Sequence, residues 1–589
     1  MTSLNKLYYL LIVFILAGCS KSDAPAPSPD GPDNPTTNTA VKLSTDKALY
    51  HPGDVIQFTA DKGLTSSAKI RYRHLNQVVK EEDFPGKTWQ WTAPNTDFTG
   101  YMVDVYETVD GKEVVYGSIG VDVSSDWTHF PRYGFLSEFS GDVTSDDINT
   151  QLAKLTRYHI NGIQYYDWQN KHHAPLKMDG SQPAAEWQDI AKRDVSFDVV
   201  KGYIDKAHEY GIASMFYNLL YGAWDDYATD GVSSTWMLYN DANHQNVNKH
   251  DLDNNWALSD IFVLDPANLD WQKYIDDQTA LVYQFLDFDG WHLDQLGDRG
   301  TVYDYNGQKA DLPYGFSSFL NNLNQRFPNK KMVMNAVNQY GQANILSTPV
   351  NFAYTEVWSP NDTYEALANI IQDNAKMGVA GTRTVLAAYM DYDKANSTGY
   401  FNTPGVLMTD AVIFAFGGSH LELGEHMLAK EYFPNNNLLM RTDLKENLTS
   451  FYDFQVAYEN LLQADGDFNT PSVTSLDGQI DINSWPPQTG SVSVVGKDLG
   501  SMQVINLLNY MDATSLNWRD ASGTQPFQRV IKDLPLQIEA TKTVKKVWYA
   551  SPDYRYGSSE ELTFTQSGST LTCTIPKMQY WGMIVIEYN

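Results

Sequence analysis

From about residue 130 to residue 468 the sequence switches again and again between short apolar runs and longer stretches of helical period. No other feature constrains the fold as much. The apolar runs are "YGFLSEF" (Tyr133–Phe139), "INGIQYYDW" (160–168), "IASMFYNLL" (212–220), "FDGWHLDQLG" (288–297), "KMVMNAVN" (331–338), "FAYTEVW" (352–358), "TVLAAYM" (384–390) and "AVIFAFGG" (411–418). Between or after them lie helical stretches. One opens on Thr144-Ser-Asp-Asp147, an approximate capping box, with Ile148, Leu152 and Leu155 on a single face. Another, Phe197–Tyr210, is stopped by Gly211, and further helices are expected over Trp271–Phe285 and Tyr452–Leu462. Strands that alternate with helices must lie parallel, with crossovers covering the sheet. The expectation is a central (β/α)8 TIM-type barrel over residues 128–468, in a chain that mixes α/β with all-β domains.

A chain of 589 residues is too long for one core, and its two flanks have a different texture. Residues 41–127 alternate in period two between turn residues ("DVIQFTA", "AKIRYRHL", "TWQWTA", "GYMVDVYET"), which predicts an N-terminal immunoglobulin-like β-sandwich. Residues 469–589 return to short strands ("MQVINLLNY", "KKVWYASP", "TLTCTIP", "MIVIEYN") and predict a C-terminal β-sandwich. Cys573, in one of those strands, reads as a small buried apolar residue.

The first nineteen residues, MTSLNKLYYLLIVFILAGC, place one lysine before an apolar run too short to span a bilayer. The ending Leu16-Ala17-Gly18-Cys19 resembles a bacterial lipobox, which implies cleavage before Cys19 and its acylation. Residues 20–40 are rich in Pro, Ser, Asp and Asn, the composition of a flexible tether. The expected location is the bacterial cell envelope, held by lipid alone. A net charge of −30 argues against nucleic acid and anionic surfaces as partners, since both are bound through Lys and Arg. With only Cys19 and Cys573 there is no disulfide framework and no zinc spacing. The adjacent His172-His173 pair is expected at the surface or a pocket rim. No metal or cofactor is expected, and no EF-hand-type loop supports calcium.

In such a barrel the chemistry sits at the C-terminal ends of the strands. Those ends read Glu138, Tyr166-Asp167-Trp168, Tyr217-Asn218, His292-Asp294-Gln295, Asn335 with Asn338, Glu356-Trp358, Tyr389 with Asp391, and His420 with Glu422. Glycine-rich phosphate turns and a G-x-S-x-G elbow are absent. Paired carboxylates among aromatic and amide groups suit glycoside cleavage, where one acid protonates the leaving oxygen and the other meets the anomeric carbon. Asp294 and Glu356 end strands four and six, close enough across the mouth for that work. His292 and Gln295 are expected to keep Asp294 ionised, while the apolar setting of Glu356 raises its pKa. Asp289, before Gly290, reads as structural. The loop 221–265, rich in Asp, Asn, Trp and Tyr, reads as a substrate cover.

The segments "NGIQYYDWQNKHH", "FDGWHLDQLGDRG", "YTEVW" and "GGSHLELGEHMLAKEYFPN" together resemble glycoside hydrolase family 66, the endo-dextranases and cycloisomaltooligosaccharide glucanotransferases. The resemblance implies retaining cleavage of α-1,6-glucosidic bonds, with Asp294 as nucleophile and Glu356 as acid/base. The implied partners are dextran and isomaltooligosaccharides. Tyr166, Asp167, Trp168, Tyr217, Asn218, Trp291, His292, Gln295, Trp358, His420 and Glu422 are the expected substrate contacts. The cyclising members carry an inserted carbohydrate-binding module, for which the short connection from Tyr389 to Ala411 leaves no room. That favours a dextranase over a glucanotransferase. A non-catalytic glycan-binding lipoprotein is the reading from a different class, and it conflicts with the presence of both carboxylates.

Overall fold

The computed structural model describes residues 40–64 and 67–589. The expected signal peptide, Cys19 and nearly all of the tether lie outside the described residues. Among those described, no helix is long and apolar enough to cross a membrane.

The central region contains eight parallel strands: β1 Tyr133–Leu136, β2 Gly162–Tyr165, β3 Ala213–Leu219, β4 Gly290–Asp294, β5 Lys331–Met334, β6 Ala353–Glu356, β7 Thr384–Ala387 and β8 Gly418–His420. Neighbours follow chain order, with β1 to β5 in one sheet and β6 to β8 in another. A parallel bridge from Asn335 to Tyr354 joins β5 to β6. The chain just past β8 returns to β1, where the Phe135 N–H donates to the Leu423 carbonyl at 3.2 Å. Gly134 permits that approach, because a Cβ there would stand 2.7 Å from the Leu423 oxygen.

Helices α1 Ser145–Arg157, α2 Phe197–Glu209, α3 Leu269–Phe285, α4 Leu312–Arg326, α5 Gln342–Leu346, α6 Tyr364–Met377, α7 Thr403–Ala415 and α8 Thr442–Ala457 connect or follow the strands. The capping box of α1 forms as read: the Thr144 hydroxyl accepts from the Asp147 N–H, and the Asp147 carboxylate from the Thr144 N–H at 3.0 Å. Two expectations need correction. Residues 411–418 are not a strand; most of them complete α7, whose residues are all buried, so its unbroken apolar run imitates a buried strand. The helix expected over Tyr452–Leu462 begins earlier, at Thr442, and breaks after Ala457 into a short Glu459–Leu462 turn.

Successive residues of a strand point to opposite faces, and this divides the central core in two. Tyr133, Phe135, Met215, Val333, Tyr354, Val385 and Ala387 pack together inside the curve of the strands. Leu136, Ile163, Tyr165, Phe216, Trp291, Leu293, Met334 and Leu386 point outward to the helices.

Residues 43–123 form two antiparallel sheets around their own core, one of three strands and one of four. Beyond residue 467 two further, mainly antiparallel sheets enclose another core, where Cys573 is buried as read. These outer regions also bind one another: Arg73 donates to the Ser559 hydroxyl at 2.9 Å, and Arg555 pairs with Glu113.

Candidate active site

The inner-face phase that places Met215 and Val333 in the core carries on to the open end of the strands. There it delivers Tyr217, Asp294, Asn335, Glu356 and Tyr389 to one cleft of about 680 Å³. Asp294 Oδ2 accepts from the Tyr217 hydroxyl at 2.7 Å. Its Oδ1 accepts from the Asn335 side-chain amide at 2.8 Å and from the Gln295 backbone N–H at 2.8 Å. Glu356 Oε1 accepts from the Tyr389 hydroxyl at 2.8 Å, and its Oε2 from the same Asn335 nitrogen at 3.2 Å. One amide nitrogen within hydrogen-bond reach of both acids draws the two carboxyl groups together across the cleft, the closeness that a retaining pair needs.

The environment treats the two acids differently. Burial pushes the Glu356 carboxyl up to about 7, and the charge of Asp294 adds to the effect. Burial also raises Asp294, but hydrogen bonds from Tyr217, Asn335 and the Gln295 N–H favour its ionised form. The pair therefore shares its proton unevenly, with Glu356 as holder. Burial keeps the Tyr217 and Tyr389 phenols well above their ordinary pKa, so both stay donors.

Tyr166, His292, Gln295, Gln164 and Tyr354 complete the base of the cleft, and Glu431, Tyr432 and Phe433 form one wall. The loop 221–265 supplies His250, Leu252 and Trp256 to the lining, and Trp256 is 45% exposed there. Of the residues expected to meet substrate, Tyr166, Tyr217, His292, Gln295, Asp294 and Glu356 line this cleft.

The others do not line it, and strand phase explains most of them. Trp291 and Asn218 alternate with His292 and Tyr217, so they point outward. Trp291 stacks on Phe216, and Asn218 donates to the His172 carbonyl at 2.8 Å. Trp168 is fully buried against Phe216 and Trp187 and donates to the Tyr217 carbonyl at 3.2 Å. Asp167 turns away through a left-handed backbone (φ 52°) toward Gln169 and Arg193. Its carboxyl is pushed up to about 7 by burial and by Asp189. Trp358 packs on Tyr389 and Tyr392. His420 and Glu422 leave β8 on the outer face, where His420 Nδ1 meets Asp410 at 2.8 Å and Tyr452 donates to Glu422 at 2.9 Å.

His292 is not the partner of Asp294. Its Nδ1 lies 3.3 Å from the Tyr133 hydroxyl, and burial pushes its pKa down to about 3. Asn335 and Tyr389 stand at the strand ends read from the sequence without a role there, although counting in twos from the core residues Val333 and Ala387 would have placed both in the cleft. Asp289 is structural as read: its carboxylate accepts from the Ser214 N–H at 2.7 Å and pairs with His208 at 2.9 Å. The His172-His173 pair is buried, not at a rim, and both rings accept hydrogen bonds from Trp224.

Among the described residues, two groups bring histidine and carboxylates within metal-holding reach, His173/Asp226/Asp230 and Asp410/His420/Glu422. Lys171 already occupies the first, at 2.5 Å from Asp226 and 2.7 Å from Asp230. Neither group lines the cleft.

The profile of a family described as "Glycosyl hydrolase family 66" matches residues 45–585. A cycloisomaltooligosaccharide glucanotransferase of Niallia circulans is 28% identical over 710 aligned positions, covering 93% of this chain and 71% of the relative. A dextranase of Streptococcus salivarius is 24% identical over 635 positions, covering 92% of this chain and 73% of the relative. The crystal structure of a Paenibacillus sp. cycloisomaltooligosaccharide glucanotransferase, complexed with cycloisomaltoheptaose, superposes with a TM-score of 0.85 at 25% identity. It covers 93% of this chain and 99% of that one. The alignments with both relatives run longer than this chain of 589 residues, the glucanotransferase the more so, which means that both carry segments this chain lacks.

Proposed function

Because the chain belongs to glycosyl hydrolase family 66, we propose that it is a retaining endo-dextranase, cleaving α-1,6-glucosidic bonds by double displacement. The observation that carries this reading is the Asn335 amide donating to both Asp294 and Glu356. In the first step Asp294 attacks the anomeric carbon while Glu356 gives its proton to the departing glycosidic oxygen, leaving a glycosyl ester on Asp294. Glu356, now ionised, takes a proton from the incoming water, which attacks the same carbon, releases Asp294 and restores the starting configuration. Tyr217 and Asn335 hold Asp294 for in-line attack, and Tyr389 steadies the Glu356 oxygen that does not carry the proton. Trp256, Tyr166 and Tyr432 offer flat faces to glucosyl rings.

The ring of parallel strands acts in this reading as a (β/α)8 barrel over 128–468. The regions 41–127 and 469–589 act as an immunoglobulin-like and a C-terminal β-sandwich. Residues 1–19 and 20–40 serve as lipoprotein signal and tether, holding the enzyme at the cell envelope through Cys19.

A second reading, a glucanotransferase that cyclises its product, is favoured by the names of two of the relatives. The short connection from Tyr389 to Ala411, with no room for the inserted carbohydrate-binding module of the cyclising members, favours hydrolysis. Incubation with dextran separates the two readings. Linear isomaltooligosaccharides are expected; cyclic products as the main yield would establish the transferase, and no products at all would defeat both.

A further inference from the structure

The C-terminal β-region sends one loop, residues 512–528, into the central domain beside the acid/base glutamate. Its tip is the stretch "NWRDASG" (517–523). Asp520 shapes it by accepting from the Thr524 N–H at 2.7 Å, and Gly523 turns with φ 64°. A Cβ on Gly523 would stand 2.7 Å from the Asp391 carboxylate, and the left-handed backbone there also favours glycine. Trp518 anchors the tip, donating from its indole to the Asn361 carbonyl at 2.6 Å and accepting at its own carbonyl from Thr409 at 3.1 Å.

Arg519 extends from that anchor. Its guanidinium donates to the Val357 carbonyl at 2.8 Å and to the Tyr389 carbonyl at 3.2 Å. Val357 follows Glu356 directly, and Tyr389 bears the hydroxyl that hydrogen-bonds Glu356. One rigid fork thus ties the backbone beyond β6 to the backbone beyond β7, at the two residues whose spacing sets the Glu356–Tyr389 hydrogen bond. The guanidinium also lies over the rings of Trp518, Trp358 and Tyr392, at 4.6, 5.1 and 5.4 Å. A planar cation held by two carbonyls and three aromatic faces has little freedom to wander. It does not line the cleft.

We infer that Arg519 is a positioning residue for the acid/base step, supplied to the central domain by the C-terminal domain. The inference rests on the reading of Glu356 as acid/base. Three titratable groups face Glu356, namely Asp294, Tyr354 and Tyr389, besides the uncharged Asn335 and Trp358. Asp362, Tyr389, Tyr392 and Glu431 face Arg519. The Tyr389 hydrogen bond favours ionised Glu356. Loosening it should raise the pKa of Glu356 and carry the alkaline fall of kcat/KM to higher pH, because the first step needs the protonated acid.

The test uses the full chain with Arg519→Ala and Arg519→Lys, and dextran and an α-isomaltosyl fluoride as substrates. On dextran, Arg519→Ala should lower kcat about 10–100-fold, the scale of a small misplacement of a catalytic group, with KM little changed. The alkaline limb should move up. Glycosyl transfer from the fluoride, whose leaving group needs no proton, should be spared in the first step, and Arg519→Lys should restore part of the loss. Thr409→Val removes an anchor of the same loop from behind; it should lower Tm without moving the pH profile. If Arg519→Ala fails to fold, Arg519→Gln, which keeps donors at the site, takes its place in every comparison. An unchanged kcat and pH profile would overturn the inference, and so would equal losses on dextran and fluoride. Glu356→Gln run in parallel tells the failures apart. If that variant still cleaves dextran, the acid/base reading falls; if only the Arg519 variants stay active, this inference alone falls.

Discussion

Asp294 and Glu356 face each other on the inner surface of the strands at β4 and β6, and Asp410 and Glu422 meet on the outer surface at β8. The two pairs share most of their chemistry. Each has a tyrosine donating to its glutamate, Tyr389 to Glu356 and Tyr452 to Glu422. Each has a polar group set between its members, Asn335 in the first and His420 in the second. In each the glutamate is raised by burial and by its aspartate, Glu356 to about 7 and Glu422 to about 8. The difference is access. The first pair opens on the cleft, whereas Asp410 of α7, His420 and Glu422 are at most 2% exposed. A perturbed carboxyl is therefore no sign of catalysis by itself. Here the phase of one strand decides whether a raised pKa meets a sugar or only locks a helix to the sheet.

The sharpest way to break this comparison is to disable both glutamates. Glu356→Ala should lose about 10²–10⁴-fold on dextran, the usual worth of a positioned acid/base. With an α-isomaltosyl fluoride, whose leaving group needs no proton, azide should rescue the second step, giving the glycosyl azide with retained configuration. Glu422→Gln should leave kcat and KM near wild type. A comparable loss of turnover in Glu422→Gln, with the fold intact, would place the sealed cluster inside the chemistry and erase the distinction.

The tyrosines give a smaller, paired effect. Tyr389→Phe should reduce kcat and move the alkaline limb of the pH profile upward, because it removes a hydrogen bond that favours ionised Glu356. Tyr452→Phe should cost about 1 kcal/mol of stability, the net worth of one hydrogen bond, with turnover untouched. Steady-state kinetics and thermal scans of both variants read the two outcomes, and the reverse pattern would swap the roles of the two clusters.

A further contrast lies in the pH dependence of stability. The folded pKa of Glu422, about 8, lies above its ordinary value of about 4.3. Its contribution is therefore fully present below that ordinary value and is lost as pH rises toward 8. Glu422→Gln removes this loss, so its Tm relative to wild type should climb between pH 5 and pH 8. A difference that stays flat across that window would mean that Glu422 titrates as an ordinary surface acid.

The same comparison explains what the sequence could tell. The alternation of strands and helices was legible because each element repeats its own period, and the acids at the ends of β4 and β6 were legible as strand termini. Strand ends alone do not give the face each residue takes: Trp291 and Asn218 sit one residue out of phase with His292 and Tyr217 and point away from the cleft. His420 and Glu422 leave β8 on the outer face, a register hidden by the apolar C-terminal half of α7, which passes for the last strand. Asn335 was visible as an amide at a strand end, but its value lies in reaching two acids from different strands, which only the closed geometry brings together. Arg519 was beyond sequence reading altogether, since it comes from a domain that starts after the last strand and acts through carbonyl oxygens that every residue carries.

The central claim is that Asp294 and Glu356, held close by one amide, work as nucleophile and acid/base of a retaining centre. The most direct test follows the first reducing ends released from dextran by proton NMR, before mutarotation mixes the anomers. The account predicts that the α-anomer appears first. The β-anomer appearing first would mean inversion, with water rather than Asp294 attacking the anomeric carbon, and would contradict it.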